Sequence, residues 1–311
     1  MLDIAIIGFP KSGTSSLFYW LDAHPGVQGS RPKETFFLMD PEHPLAGRHG
    51  LSLMVDGRHA FEAFFEEPAN GRLRLEATTH SYYQDVARKF MVGMAPQPVI
   101  VAVVRQPADR IRSSFLFTQE NLAAIDRRLS FAKYVDALLD GGVERIEKYY
   151  NAPSSYWIAQ RELKLSQYVE WLDLWADAIG RDRLVLIRFE DLKERPGDVI
   201  GGLCDRLGLE SGQFETRAFE ARNRTARVRS QIAHRLGRYL APGLPDGLFK
   251  NYLRRLYATI QIDDAPSVVD MEDILALGRL DDYFEPFNAR LGQTFGLDVA
   301  LWSESRVRAY E

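Results

Sequence analysis

Residues Gly8 to Ser16, Gly-Phe-Pro-Lys-Ser-Gly-Thr-Ser-Ser, limit what this chain can fold into more than any other stretch. They join an apolar run to a helix through a loop suited to an anion. Upstream, Leu2-Asp3-Ile4-Ala5-Ile6-Ile7 is short and rich in β-branched residues, as a buried parallel strand is. Downstream, Leu17, Phe18 and Leu21 fall at helical spacing, and His24-Pro25-Gly26 stops the helix. Between them, Gly13 lets the backbone turn tightly. Ser12, Thr14, Ser15 and Ser16 place hydroxyls beside the unpaired N–H groups of a new helix, and Lys11 adds a full positive charge.

Gly8 and Gly13 have Walker A spacing, but that motif needs Lys directly after its second Gly and then Ser or Thr for magnesium. Here Thr14-Ser15 follows Gly13, and the lysine stands two residues before it. The order argues against an ordinary ATP- or GTP-hydrolysing site.

The rest of the pattern predicts an α/β fold with a central parallel β-sheet flanked by helices. Residues 72–76, 98–104 and 184–189 read as further strands, and helical patterns cover about 83–95, 107–140, 155–180 and 196–207. Val27 to Asp56, rich in Gly, Pro and His, reads as irregular. Tyr168, Trp171, Leu172 and Trp175 form an apolar stripe best read as core. Ligands of such sheets sit at the carboxyl ends of strands, where Gly8 to Ser16 and Arg105 onward both lie.

With 39 basic and 43 acidic residues, the net charge of −4 gives no global attraction to nucleic acid or anionic lipid. Any anion site must be local. The one cysteine, Cys204, rules out an internal disulfide and reads as a small core residue. No signal peptide and no apolar run of about 18 residues is seen, so a soluble, cytoplasmic protein without stable membrane insertion is expected. No carboxylate–histidine cluster stands at metal-ligand spacing, and no metal is expected.

After the strand at 98–104 comes Arg105-Gln106-Pro107-Ala108-Asp109-Arg110-Ile111-Arg112-Ser113-Ser114-Phe115. Pro107 is placed to start a helix, with Ser113 about two turns along. Arg105 and Ser113 are thus candidates to hold one phosphate from two sides. Arg110 and Arg112 read more simply as solvated or ion-paired helix residues.

Together, PKSGTSS and RQPADRIRSSF resemble the sulfotransferase family, whose members take sulfate from 3′-phosphoadenosine 5′-phosphosulfate (PAPS) and release 3′-phosphoadenosine 5′-phosphate (PAP). The resemblance implies a P-loop NTPase-like architecture and one sulfotransferase domain over residues 1–311. It implies that Pro10, Lys11, Ser12, Gly13, Thr14, Ser15 and Ser16 face the 5′-phosphosulfate, and Arg105 and Ser113 the 3′-phosphate. Arg188-Phe189-Glu190-Asp191-Leu192 is similar to a "YEDL"-like segment of these enzymes. Asp282 to Trp302 looks like the closing helix of bacterial members. Asn223 to Ser230 resembles the loop that folds over the nucleotide, making Arg222, Arg224 and Arg227 cofactor-binding candidates.

Two candidates stand for the general base. Lys33-Glu34-Thr35-Phe36-Phe37 is similar to the "KExHFF" segment of glycan 3-O-sulfotransferases, whose Glu is the base, although Phe36 stands where that pattern has His. Glu76-Ala77-Thr78-Thr79-His80-Ser81-Tyr82 resembles "EKTPSY", with Ala77 for the Lys and Thr79-His80 for the Pro. These changes leave His80 as the second candidate, with Glu34 favoured. The expected reaction is sulfuryl transfer to the hydroxyl of a small molecule, lipid or glycan, less readily to an amine. A P-loop small-molecule kinase and a non-catalytic nucleotide-binding module are the alternatives. The Tyr149 to Trp157 stretch reads equally as an acceptor cleft or a packed helix junction.

Overall fold

A computed structural model describes residues 2–66, 70–211, 270–300 and 302, with the backbone alone for 227–228 and 262–263. The chain forms two compact units. The first comprises Met1–Gln106, Gln167–Asn223 and Glu285–Glu311, and the second comprises Pro107–Ser166 and Arg224–Phe284.

The first unit carries the sheet. β1 (Ile4–Gly8), β2 (Val27–Gly29), β3 (Leu73–Glu76), β4 (Val99–Val104) and β5 (Leu184–Arg188) lie in the order β2-β3-β1-β4-β5. Every pairing is parallel; Ile4 stands opposite Leu75 on one side and Val99 on the other. Parallel strands need crossovers, so all five carboxyl ends emerge along one edge of the sheet.

Val27–Gly29 departs from the irregular reading of 27–56. Three residues are too few to show a strand period in sequence. Their state comes from pairing with β3, where Val27, Gln28 and Gly29 match Leu73, Arg74 and Leu75.

Helix α1 (Thr14–Asp22) buries Leu17, Phe18 and Leu21 against Ile4, Ile6, Leu75, Val101 and Val103. Ile200, Leu203 and Cys204 of the helix Pro196–Leu207 join the same cluster, giving Cys204 the core role expected of it. Elsewhere in this unit, Tyr168, Leu172 and Trp175 of the helix Tyr168–Ile179 are buried, and Trp175 Nε1 donates to the Tyr82 carbonyl at 2.7 Å. Three of the four residues of the apolar stripe are core, and the fourth, Trp171, is half-buried.

Two long helical readings divide. Residues 107–140 form a helix at Pro107–Leu116, a π-helical turn at Phe117–Asn121 and a helix at Phe131–Leu139. Residues 155–180 form helices at Pro153–Ala159, Glu162–Leu165 and Tyr168–Ile179. The closing helix runs Met271–Phe295, starting earlier and ending sooner than expected. No helix among the described residues is long and apolar enough to cross a membrane.

In the second unit, Arg110 is buried and ion-paired with Glu162, which also accepts from the Tyr134 hydroxyl at 3.2 Å. Arg112 pairs with Asp273 at 3.2 Å. Both arginines therefore have the structural role their helix positions suggested. Within Tyr149–Trp157, Asn151 Nδ2 donates to the Ala123 carbonyl at 2.9 Å and Tyr150 bridges to Ile125, so that segment is tied to the 123–126 turn.

Candidate active site

Each of the five strands delivers a distinctive side chain just beyond its carboxyl end. Lys11 follows β1, Glu34 follows β2, His80 follows β3, Arg105 follows β4 and Phe189 follows β5.

The loop after β1 turns through two left-handed residues, Lys11 (φ 68°) and Gly13 (φ 85°). A lysine in that region is uncommon and marks a conformation enforced by its surroundings. Gly13 caps α1 with no side-chain partner, and a Cβ there would lie 3.0 Å from Leu192 and 3.1 Å from Phe189. The close packing and the positive φ both demand glycine. Ser12 is fully buried, and its Oγ has no hydrogen-bond partner among the described residues. A buried hydroxyl left unsatisfied by the fold, under the open N–H groups of a helix start, fits a loop completed by an anionic group.

Lys11 has its pKa lowered to about 8. Burial is the main cause, and the nearby Arg105 guanidinium adds to it, while Glu34 pulls the other way. Lys11 is thus within electrostatic reach of both Arg105 and Glu34. Arg105 donates to the Lys11 carbonyl at 3.2 Å, and its guanidinium lies 4.6 Å over the Phe189 ring. One aromatic side chain therefore supports both the glycine of the loop and the arginine of the next strand. The "YEDL"-like stretch pointed to this segment, but the sequence carried no signal for that role of Phe189.

Glu34 and His80 sit on two loops stitched together. Ala77 N–H donates to the Lys33 carbonyl at 3.3 Å, and Phe36 N–H donates to Thr78 Oγ1 at 3.1 Å. Buried Glu76 is the clamp. Its Oε1 accepts from Thr35 N–H at 3.3 Å, Thr35 Oγ1 at 3.0 Å and Thr78 N–H at 2.9 Å, and also from Thr78 Oγ1. Burial nonetheless raises its pKa above the ordinary carboxylate value. Glu76 is an organising residue that sequence reading did not single out.

Glu34 Oε1 accepts from Lys33 Nζ at 2.8 Å and from Thr79 Oγ1 at 3.2 Å. Its Oε2 has no hydrogen-bond partner among the described residues. Burial opposes its charge, but Lys33, His80 and the Thr79 hydroxyl outweigh that, and the pKa falls below the ordinary glutamate value. One oxygen is anchored and the carboxylate is ionised at neutral pH. Arg31, the other conceivable partner, pairs instead with Asp22 at 2.6 Å.

The fold thus brings Lys11, Glu34, His80 and Arg105 together in the first unit. Pro10, Ser12, Thr14, Ser15 and Ser16 belong to the same loop and helix start. Ser113 lies on the helix Pro107–Leu116 of the second unit. Arg222 and Arg224 lie outside the described residues. Of Arg227 only the backbone is described, paired antiparallel with Asp263.

Residues 2–229, well over half of the chain, match the sulfotransferase domain family. The chain belongs to that family. This sulfotransferase is 25% identical over 214 residues to the bifunctional heparan sulfate N-deacetylase/N-sulfotransferase 1 of Caenorhabditis elegans, covering 69% of this chain and 23% of that one. It is 23% identical over 207 residues to the heparan sulfate glucosamine 3-O-sulfotransferase 6 of Mus musculus, covering 66% and 52%. The match therefore spans about a quarter and about half of those relatives. A sulfotransferase of Alicyclobacillus acidocaldarius matches at a TM-score of 0.64 and 20% identity, over 97% of this chain and 99% of that one. That likeness shows the fold: a P-loop-like α/β architecture around the parallel sheet.

Proposed function

We propose that this sulfotransferase moves a sulfuryl group from PAPS to an acceptor hydroxyl by in-line displacement, with Glu34 as the general base. The observation that carries this reading is the electrostatic coupling of Lys11 and Glu34 in one site, a cation for the leaving group and an ionised carboxylate for the acceptor. Glu34 Oε2 takes the hydroxyl proton as the acceptor oxygen forms its bond to sulfur. The bond from sulfur to the 5′-phosphate oxygen breaks, and its electron pair stays on PAP. Lys11 and the N–H groups at the start of α1 stabilise that developing charge.

From the sequence resemblance we assign the 5′-phosphosulfate to the loop from Pro10 to Ser16. The 3′-phosphate goes to Arg105 with Ser113, and Arg222, Arg224 and Arg227 serve as further nucleotide contacts. The heparan sulfate relatives make a glycan hydroxyl one acceptor to test, beside lipid and small-molecule alcohols.

The test compares three variants for transfer of labelled sulfate. Lys11→Ala and Glu34→Gln should each lose roughly 10²-fold or more in turnover while still folding. His80→Asn should lose much less. A Glu34→Gln enzyme as active as the parent removes Glu34 from the mechanism, and magnesium-dependent ATP turnover would favour a kinase instead.

A further inference from the structure

The end of the closing helix and the residues after it are fastened alongside β5. Before that strand, Arg181 donates to the Thr294 carbonyl at 2.5 Å, and its guanidinium lies 5.0 Å over the Phe295 ring. At its end, Arg188 Nη1 donates to the Asp298 carbonyl at 2.9 Å. Two residues further, Glu190 Oε2 accepts from Trp302 Nε1 at 3.1 Å. Trp302 is 2% exposed. All of these residues belong to the first unit.

The C-terminal ties fall on either side of Phe189. Arg188 and Glu190 face the C-terminal segment, whereas Phe189 and Leu192 pack at Gly13 and Phe189 also lies under the Arg105 guanidinium. These side chains open a helix of six residues, Phe189–Glu194, with Arg188 as its N-cap. A helix so short does not hold itself in water, so its placement depends on what its ends are tied to. Arg188 closes the first turn by donating to both oxygens of Asp191 at 2.7 and 2.8 Å. That bond shapes the turn but does not orient it. The ties to Asp298 and Trp302 do, because they reach outside it.

We propose that Trp302, with the Asp298 carbonyl, sets the angle of the 189–194 helix and so keeps Phe189 where it holds Arg105 for the 3′-phosphate of the donor. This rests on the assignment of Arg105 to that phosphate. A guanidinium grips a phosphate through two parallel N–H bonds, which tolerate little change in its plane. The stacked ring fixes that plane. Trp302 is thereby a positioning residue, acting on the nucleotide site through Glu190 and Phe189.

The test compares affinity for PAP with affinity for adenosine 5′-phosphate, which lacks the 3′-phosphate, by calorimetry on the whole chain. Arg105→Ala should lose most of the preference for PAP. Trp302→Phe keeps a buried ring and removes the N–H, and should lower that preference by roughly fivefold with adenosine 5′-phosphate binding nearly unchanged. Glu190→Gln keeps an acceptor for the indole and should bind both nucleotides as the parent does. A folded Trp302→Phe with the parent's preference overturns the proposal. So does one that weakens both nucleotides by the same factor, which is the mark of a merely structural role. If Trp302→Phe does not fold, Glu190→Ala removes the same bond from its other end and is judged by the same two outcomes. Arg105→Ala separates this proposal from the reading beneath it. A preference for PAP that survives in Arg105→Ala moves the 3′-phosphate elsewhere and overturns both, whereas loss there with none in Trp302→Phe overturns the role of Trp302 alone.

Discussion

Lys11 occupies surroundings that work against its own charge until an anion arrives. Free of ligand, it loses its proton near pH 8, mainly through burial, with Arg105 adding to the effect. A bound phosphosulfate favours the ammonium and moves the pKa back up, so binding between about pH 8 and 10 must take up a proton. PAP affinity should therefore fall as pH rises through 8. Calorimetry in buffers of different ionisation enthalpy should show that uptake in the parent and none in Lys11→Arg, whose guanidinium does not titrate in this range. Affinity that is flat across pH 7 to 9 would place the anion away from Lys11. Lys11 itself was legible in sequence, because a lysine between strand and helix beside glycine and hydroxyls has few other uses. Its lowered pKa was not, because burial and the approach of Arg105 come from a chain segment 94 residues away.

At the scale of elements, the site depends on how the loops after β2 and β3 are fastened. One carboxylate oxygen of Glu76 satisfies the donors of Thr35 and Thr78. Glu76→Ala strands these groups in a buried setting and should destabilise the protein by at least about 2 kcal/mol in urea unfolding, with transfer activity lost as well. Glu76→Gln keeps an acceptor oxygen there and should fold nearly normally. Equal stability of the two variants would remove the clamp from the account. Glu76 was read in sequence only as part of a broken motif. Its partners Thr35 and Thr78 were visible, but nothing local says that 33–36 and 76–79 run side by side. That adjacency follows from β2, a strand too short to announce itself and held by its pairing with β3.

For the molecule as a whole, ligand linkage gives the broadest test. PAP at 100 times its dissociation constant should stabilise the folded state by about 2.7 kcal/mol, read as a rise in Tm, and ATP at the same concentration should give less. Equal stabilisation by ATP would undermine the choice of nucleotide. The α/β class, four of the five strands, the loop at Gly8 to Ser16 and the buried role of Cys204 followed from the sequence alone. Each rests on local preference: β-branched runs, helical periodicity, and a glycine where the backbone must turn left-handed. Other features required the chain to be folded. These are the order of the strands, the support that Phe189 gives to Gly13 and Arg105, and the Glu76 clamp. They are contacts between residues far apart in sequence, whose distances are set by the packing of a parallel sheet and leave no periodic trace along the chain.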